Sequence, residues 1–192
     1  MGPVPSTRLV SKLVFGLLVV TAWCRDAGQA RAEGEVSRRF VVALEAGAGQ
    51  GTFDKDPGRG LYAYGLDATW NPNRLALGLT LERASQIGDD PRALSFGQIL
   101  AHAGYAAWKS ERWTVTPRVF LGGGRVTRDA DDLNPAHSNT GVAAGPSVTL
   151  DWHPGKWFAA GLEGRVTWQL YMAENPFTSR SALLLLRGAA TF

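Results

Sequence analysis

The sequence contains a single cysteine, Cys24, and no long run of apolar residues. One thiol cannot form an intramolecular disulfide or the thiolate cluster of a structural zinc site, so neither can hold the fold together. The longest apolar run, at 13–23, is shorter than the ~18 residues that a membrane-spanning helix requires. The 192 residues are nevertheless enough for one domain with a sizeable core.

The N-terminal segment has the three parts of a secretory signal peptide. Arg8 and Lys12 supply a positively charged start, and the apolar run at 13–23 follows. The stretch “ARA” at 30–32 then provides the small residues that signal peptidase recognises. Export is therefore expected.

Cleavage after Ala32 would give a signal peptide over 1–32 and a mature domain over 33–192. A short buried helix or a membrane anchor is the alternative interpretation of the apolar segment. A lipoprotein signal that uses Cys24 is disfavoured because Trp23 is too bulky for the position before the cysteine.

Cleavage would also make the mature chain neutral. The whole chain has 20 basic and 17 acidic residues, and the predicted signal peptide holds four of the basic and one of the acidic residues, which leaves 16 of each. Nucleic-acid binding depends on a basic patch, which a neutral balance does not support. We therefore expect no nucleic-acid partner.

After residue 33 the dominant pattern is two-residue alternation, which is typical of β-strands with one face buried. In “RLALGLTLE” (74–82), leucine occupies every second position and alternates with alanine, glycine, threonine and glutamate. Eight segments show this pattern: 39–49, 61–70, 74–82, 96–108, 113–123, 141–152, 157–170 and 183–192. The chain is therefore predicted to be all-β.

The connections between these segments alternate in length. Tight turns are predicted at 71–73, 109–112 and 153–156, and longer polar loops at 54–60, 84–94, 126–140 and 173–180. Eight antiparallel strands with tight turns at one end and long loops at the other describe an up-and-down barrel. Pro146 lacks a backbone donor, so we expect it at a bulge or near a rim.

The two faces of the predicted strands separate a membrane barrel from a soluble one. One face is rich in Leu, Val, Phe, Tyr and Trp, whereas the other combines Gly, Ala and Thr with the charged residues. A soluble lipocalin-like barrel turns its apolar face inward, and a membrane barrel turns it outward. The lumen of eight strands is narrow, so the small and charged face fits inside, while a basic side chain facing lipid would cost about 2–4 kcal/mol at the midplane. We predict a transmembrane barrel.

The inward charges are expected to pair across the lumen as a structural network. The carboxylates and guanidinium groups concerned are Glu45, Asp67, Glu82, Glu163, Arg118, Arg165 and Arg187. Arg187 is predicted to meet Glu45, because the last strand must close against the first.

Bulky inward side chains are expected to block the lumen to water, as is usual for eight strands. The candidates are Phe120, Leu183 and Leu185, with Trp157 and Tyr171 as further possibilities.

Aromatic residues mark the ends of several predicted strands. Trp70, Trp152 and Phe192 lie at strand ends, with Trp113 across the turn at 109–112, where a membrane barrel has its aromatic girdle. With the signal peptide, the eight alternating strands and the ending “LLLLRGAATF”, the chain resembles the small outer-membrane β-barrel proteins of Gram-negative bacteria, of the transmembrane-domain type of OmpA and OmpX.

This resemblance covers about 40–192 and implies a location in the bacterial outer membrane, with both termini periplasmic and the long loops outside. It also implies a monomer in the lipid bilayer whose last strand is recognised by the barrel assembly machinery, with Phe192 as the assembly signal. Gly188 and Ala190 are weakly apolar for the outward face of such a strand, which departs from the strongest form of that signal.

Two glycine-rich stretches, “GAGQGT” (47–52) and “GGGR” (122–125), are similar to phosphate-binding loops at first sight. Neither precedes a helix or the Lys-Ser/Thr pair that a P-loop requires. Glycine that relieves crowding or bends a barrel strand is the preferred interpretation.

The stretch “PAHSN” (135–139) is similar to the His-x-Ser-Asn signature of lipid A deacylases, which are also outer-membrane barrels. A nucleophile needs its base on the same side, however, and adjacent residues such as His137 and Ser138 would face opposite sides of a strand. Because the stretch also falls in a predicted polar loop, a solvated histidine is expected.

Acidic clusters at 54–56, 89–90 and 129–134 fall in the predicted long loops. Carboxylates suit Ca²⁺ or Mg²⁺, but the EF-hand spacing is absent, so solvated loops are expected.

His102 is expected to point inward near a carboxylate and to have a structural role. No catalytic, cofactor or metal site is predicted, and no cofactor.

The sequence favours a non-enzymatic outer-membrane barrel with a structural role or a surface-interaction role through its extracellular loops, which could bind an extracellular ligand. The alternatives are a lipid-modifying enzyme similar to lipid A deacylase, a narrow pore or a carrier of small apolar ligands, and a soluble lipocalin-like binder.

Overall fold

The computed structural model describes residues 40–53, 58–87, 94–128, 137–172 and 177–192. The predicted signal peptide lies outside the described residues. The strands are β1 (Phe40–Phe53), β2 (Arg59–Trp70), β3 (Leu75–Gln86), β4 (Leu94–Tyr105), β5 (Trp108–Lys109), β6 (Trp113–Arg128), β7 (His137–Trp152), β8 (Phe158–Met172) and β9 (Phe177–Thr191). Among these residues there is no helix with the length and apolar character needed to span a membrane.

The eight long strands form one closed antiparallel barrel. Each pairs with its neighbours along the chain, β4 pairs with β6 past the two-residue β5, and β1 pairs with β9. The closure continues to the last residue, since Phe40 N donates to Phe192 O at 3.2 Å and Phe192 N donates to Phe40 O at 2.9 Å. The predicted fold class is therefore confirmed, and closure leaves no long strand with an unpaired edge.

The barrel has two different ends. The turn end carries the connections 71–74, 106–112 and 153–157 together with Phe40 and Phe192, and the loop end carries the other four connections, 54–58, 87–93, 129–136 and 173–176. At the turn end, Asn73 takes a φ of 62°, a left-handed conformation that asparagine tolerates in turns. The predicted simple turn at 109–112 is part of a longer connection, because β5 folds back onto the start of β6.

The strands extend further at the loop end than the sequence predicts. The expected loop at 126–140 is too long, because β6 continues to Arg128 and pairs there with His137 at the start of β7. The expected loop at 173–180 is too long for the same reason, since β9 begins at Phe177. Ladder hydrogen bonds use backbone groups, so they continue through polar residues where the side-chain alternation is weak.

Pro146 lies in the middle of β7, and the expectation of a bulge or a rim position is wrong. Ala144 pairs with Trp168 and Ser147 with Arg165, so the ladder to β8 skips two residues without changing register. On its other side Pro146 pairs with Val119. The missing N–H of proline interrupts one ladder but inserts no extra residue.

Both glycine-rich stretches lie within barrel strands, β1 and β6. A Cβ added at Gly47 would lie 2.0 Å from the carbonyl oxygen of Leu184, and one at Gly122 would lie 1.9 Å from that of Ile99. Glycine is therefore required where these strands approach their neighbours so closely.

Burial alternates along each long strand and defines an outer surface and a lumen. In β3, Leu77, Leu79 and Leu81 are exposed, whereas Ala76, Thr80 and Glu82 are buried. The outer surface is apolar, as shown by Leu44, Leu121 and Leu186, which are 65–70% exposed. Buried charged side chains of the same strands, such as Glu82, lie in the lumen, whereas a few others, such as Arg83, are exposed on the outer surface near the loop end.

Candidate functional site: the filled lumen

The half of the lumen nearer the turn end is filled by charged side chains from seven of the eight long strands and by a histidine from the eighth. We name this group the charged cluster: Glu45 (β1), Asp67 (β2), Glu82 (β3), His102 (β4), Arg118 (β6), Asp151 (β7), Glu163 and Arg165 (β8) and Arg187 (β9). The alternation of each strand turns these residues inward, and the closed barrel brings them together.

Arg187 is the centre of the charged cluster. Its Nη1 lies 2.5 Å from Glu45 Oε1 and 2.7 Å from Glu163 Oε2. Its Nη2 lies 3.3 Å from Asp67 Oδ1, and its Nε lies 3.4 Å from Asp151 Oδ1. One guanidinium group therefore contacts carboxylates from four strands other than its own.

Arg165 is the second hub and lies deeper toward the loop end. Its Nη2 lies 3.0 Å from Glu45 Oε2, its Nε donates to Glu163 Oε1 at 2.8 Å, and its Nη1 pairs with Glu82. The guanidinium carbon also lies 5.7 Å from the centroid of the Phe120 ring, within cation–π range. Glu45 thus bridges the two arginines.

Asp67 gathers the remaining polar contacts of the charged cluster. Its Oδ2 lies 2.8 Å from His102 Nε2 and 3.4 Å from Arg118 Nη1. Thr69 and Thr80 donate their hydroxyl protons to the same carboxylate, at 2.6 and 3.0 Å. Asp67 has no exposed surface, and these donors replace the water it would bind outside the lumen.

A layer of amides and hydroxyls follows toward the loop end. Gln98 donates to Glu82, and Gln169 Nε2 donates to Gln98 Oε1 at 2.9 Å. The Oε1 of Gln169 accepts hydrogen bonds from Tyr171 Oη at 2.7 Å and from Ser179 Oγ at 2.5 Å. This layer connects the charged cluster to an apolar region beyond it.

The half of the lumen nearer the loop end is filled by apolar side chains. We name this group the apolar plug: Leu61, Ala63, Ala84, Phe96, Val126, Tyr171, Leu183 and Leu185. Its aromatic members Tyr171 and Phe96 have ring centroids 6.3 Å apart. The Tyr171 ring also stacks, at a centroid distance of 4.7 Å, on Phe177, which packs against the plug. Side chains therefore occupy the lumen on both sides of the amide layer.

The charged cluster can tie strands together, because each ion pair joins strands that are distant in sequence. It holds three guanidinium groups and five carboxylates, so every arginine has more than one carboxylate in reach. Within the described ranges no group of three or more His, Cys, Asp or Glu side chains has the geometry of a metal site. The guanidinium groups lie between the carboxylates instead.

The structure places all seven charged residues singled out from the sequence in this one cluster, and the contact between Arg187 and Glu45 is among its shortest. Asp151 also belongs to the cluster and is not among the predicted charges, although the same alternation directs it inward.

Phe120, Leu183, Leu185 and Tyr171 are buried in the lumen. The candidate Trp157 is wrong, because it lies in the turn before β8 and is 72% exposed.

The stretch at 135–139 lies only partly where it was expected. His137 and Ser138 belong to the start of β7 and not to a loop. Ser138 Oγ accepts a hydrogen bond from Arg125 Nη2 at 2.6 Å. The acidic clusters at 54–56, 89–90 and 129–134 lie outside the described residues.

Aromatic side chains surround the turn end on the outer surface. Trp70, Trp113, Trp152 and Phe192 are 40–65% exposed, and the Trp113 and Trp152 rings lie 6.4 Å apart. Phe40, Trp108 and Phe158 are exposed at the same end. This is the arrangement of an interfacial aromatic girdle.

Comparison with known proteins supports the fold but reveals no sequence relative. No family model and no curated protein match the chain. The crystal structure of Neisserial surface protein A (NspA) matches with 13% identity and a TM-score of 0.67, over 80% of this chain and 97% of that chain.

Two further crystal structures align over a similar span with lower scores. The N-terminal β-barrel domain of Pseudomonas aeruginosa OprF has 14% identity and a TM-score of 0.45, over 79% of this chain and 97% of that chain. Ail, the attachment invasion locus protein of Yersinia pestis, has 12% identity and a TM-score of 0.48, over 80% and 97%. On the strength of its own closed barrel and the likeness to NspA, the chain has the fold of the small eight-stranded outer-membrane β-barrel proteins.

Proposed function

We propose that this chain is a protein of the bacterial outer membrane whose barrel spans the lipid bilayer. The observation that carries the proposal is the inverted distribution of side chains, with leucines such as Leu44 and Leu121 exposed outside and Glu45 and Arg187 buried inside. In water, a continuous apolar surface around a barrel would far exceed the few hundred Å² that soluble monomers expose. In the bilayer, lipid chains cover this apolar surface, and the closed ladder provides hydrogen-bond partners for the backbone N–H and C=O groups.

In this proposal the chain is exported with the signal peptide over 1–32 and is oriented with both termini and the turn end at the periplasmic side. Short periplasmic turns and longer extracellular loops are the rule for such barrels. The aromatic girdle at the turn end supports an interface at that height. N-terminal sequencing of the mature protein should begin at Glu33.

The proposed role is non-enzymatic: maintenance of the membrane or interaction at the cell surface through the loops. The charged cluster and the apolar plug support this role over conduction, because side chains occupy both halves of the lumen. A ligand of the extracellular loops is the partner that this role implies.

Assembly is proposed to depend on Phe192 and the barrel assembly machinery. Support comes from the outward position of this ring, which is 65% exposed at the end of the closing strand. Phe192 also exchanges backbone hydrogen bonds with Phe40, so its ring lies at the seam where β9 meets β1.

The test of the proposed function is the gel mobility of the protein in detergent extracts of outer membranes, with and without boiling, for the full chain and for a chain that lacks Phe192. The full chain should fractionate with the outer membrane and shift on boiling, and the deletion should reduce the shifted amount. Recovery of the full chain in the soluble periplasmic fraction, or the absence of any shift, would refute the membrane location.

A further inference from the structure

Two arginines on the outer surface lie on either side of a glycine. Arg83 in β3 pairs with Gly97 in β4, and Gly97 pairs on its other side with Arg125 in β6. All three residues are exposed and share the outward face of their strands. They therefore form one row across three neighbouring strands.

The row has the shape of a cleft with basic walls. Neighbouring strands lie about 4.8 Å apart, so the Cα atoms of the two arginines are about 10 Å apart. Between them Gly97 contributes no side chain, and a Cβ added there would meet no atom within 4 Å. The gap over Gly97 is therefore open to the outside, and an anionic group can enter it without a steric barrier. To meet that group, Arg125 would turn its guanidinium group from Ser138 in β7 toward Gly97.

Both arginines have unused hydrogen-bond donors. Among the described residues, Arg125 donates one hydrogen bond, from Nη2 to Ser138 Oγ at 2.6 Å, out of its five N–H groups. Among the residues that the structure describes, Arg83 has no hydrogen-bond or ion-pair partner.

The row lies at the border of the apolar outer surface. Each of Arg83, Gly97 and Arg125 is three residues from the loop-end terminus of its strand. Tyr64, an amphipathic residue, pairs with Arg83. Toward the turn end, the next outward residues are Leu81 in β3, Ile99 in β4 and Gly123 in β6, and the two apolar side chains among them are 50% and 58% exposed. Leu121, 65% exposed, is the following outward residue of β6.

We propose that the cleft of Arg83, Gly97 and Arg125 binds the phosphate group of a membrane lipid. Guanidinium groups match phosphate oxygens in charge and in planar, bidentate geometry. The apolar residues directly below offer a surface for the acyl chains, which a free anion would not use. This inference rests on the proposed membrane location of the barrel.

The chain contains a matched control for the cleft. Arg180 in β9 is also outward, exposed and three residues from the loop-end terminus of its strand. Its ladder partners are Thr52 and Trp168, so it has no second arginine across a glycine. Arg180 therefore matches either arginine of the cleft in charge and in distance from its strand end, but it stands alone.

The test measures lipid binding to the full chain refolded in neutral maltoside micelles, by native mass spectrometry. The probes are phosphatidic acid and a diacylglycerol with the same acyl chains. The variants are the double substitution Arg83→Gln/Arg125→Gln, the control Arg180→Gln, and Gly97→Leu. The last of these keeps both charges and places a side chain in the gap between the two arginines. The boiling shift on gels checks that each variant is folded.

The wild-type protein should bind phosphatidic acid in preference to diacylglycerol. The double substitution should weaken this binding by roughly twentyfold, as expected for the loss of two basic residues at an anionic surface. Gly97→Leu should weaken it as well, and Arg180→Gln should leave it unchanged.

Three results would overturn the assignment: an unchanged affinity in the double variant, an equal loss in Arg180→Gln, or displacement of the lipid by inorganic phosphate, which would make the cleft a site for free anions. Failure of the wild-type protein to show the boiling shift would count against the proposed function instead. The two failures are therefore distinguishable.

Discussion

The two halves of the lumen are filled by side chains of different kinds. Near the turn end, Arg187 and Arg165 pair with carboxylates of β1, β2, β3, β7 and β8, and Asp67 adds directional contacts to β4 and β6. Near the loop end, the apolar plug fills the space mainly by packing, and its one polar side-chain group, Tyr171 Oη, donates a hydrogen bond to Gln169 Oε1. The charged half therefore depends more on specific partners than the apolar half does, and we infer that strand register is more tightly specified there.

The two halves should therefore respond differently to substitution. Removing one member of a buried ion-pair network leaves other charges buried without compensation. Removing part of an apolar side chain costs its transfer free energy and the cavity it leaves. Substitutions in each half, with a control on the outer face of the same strand, measure this difference.

The largest effect is expected for Arg187→Leu. It leaves Glu45, Asp67, Asp151 and Glu163 without their shared cation, and the free energy of unfolding should fall by about 3–5 kcal/mol. Urea titration of the protein refolded in lipid bilayers measures the change. Arg180→Leu, on the outer face of the same strand, is the control and should not destabilise the barrel. Equal stability of Arg187→Leu and wild type would contradict the role given to the charged cluster.

A smaller effect is expected for Leu185→Ala in the apolar plug. Leu185 is 1% exposed and its neighbour Leu184 is 60% exposed on the outer face, so the pair compares the two environments within one strand. Leu184→Ala should lose only transfer free energy to lipid, about 1–2 kcal/mol, whereas Leu185→Ala adds a cavity and should lose about 2–4 kcal/mol. If the same titration gave Leu184→Ala the larger loss, the inside and outside of β9 would be misassigned.

The smallest effect is expected for Asp151→Asn. Its carboxylate lies at the margin of the charged cluster, 3.4 Å from Arg187 Nε and partly accessible, and four other carboxylates remain. Stability should change by less than about 1 kcal/mol. Glu45→Gln is the comparison: Glu45 contacts both Arg187 and Arg165, so its loss should be the greater. A reversed order would show that the margin, and not the centre, holds the cluster together.

The sequence predicts which way each side chain faces because alternation has a period of two and holds along a whole strand. This alternation alone predicts that the side chains of Glu45, Asp67 and Arg187 face the lumen and that the side chain of Leu184 faces outward. Closure of β9 against β1 then predicts the contact between Arg187 and Glu45.

Alternation does not encode the stagger between strands, so it could not show which charges lie at the same height. The joint contact of Arg187 with residues from β1, β2, β7 and β8 therefore required the structure. Asp151 was left out for the same reason, since it lies next to the end of its strand and its distance from Arg187 depends on register.

Strand ends are also predicted less well where backbone pairing continues beyond the last residue that shows the alternating side-chain pattern. The loop ends of β6 and β7 carry polar residues such as Arg125 and Thr140, so their strand character is visible only in the ladder. Trp157 is predicted to face the lumen only when the alternation of β8 is continued one residue too far, into the turn before the strand. Pro146 lies mid-strand because one skipped stretch of ladder is tolerated without a bulge.

The central claim, that the leucine-rich face of the barrel contacts lipid, is tested most directly by the reactivity of an outward cysteine. In a Cys24→Ser background, Leu121→Cys is refolded in small lipid-bilayer discs and treated with a charged, membrane-impermeant maleimide; Trp157→Cys, in an exposed turn, is the reactive control. We predict that the cysteine at 121 is protected in the folded protein and reacts after unfolding in urea, whereas the control reacts in both states. Rapid reaction at 121 in the folded, disc-bound protein would contradict the claim.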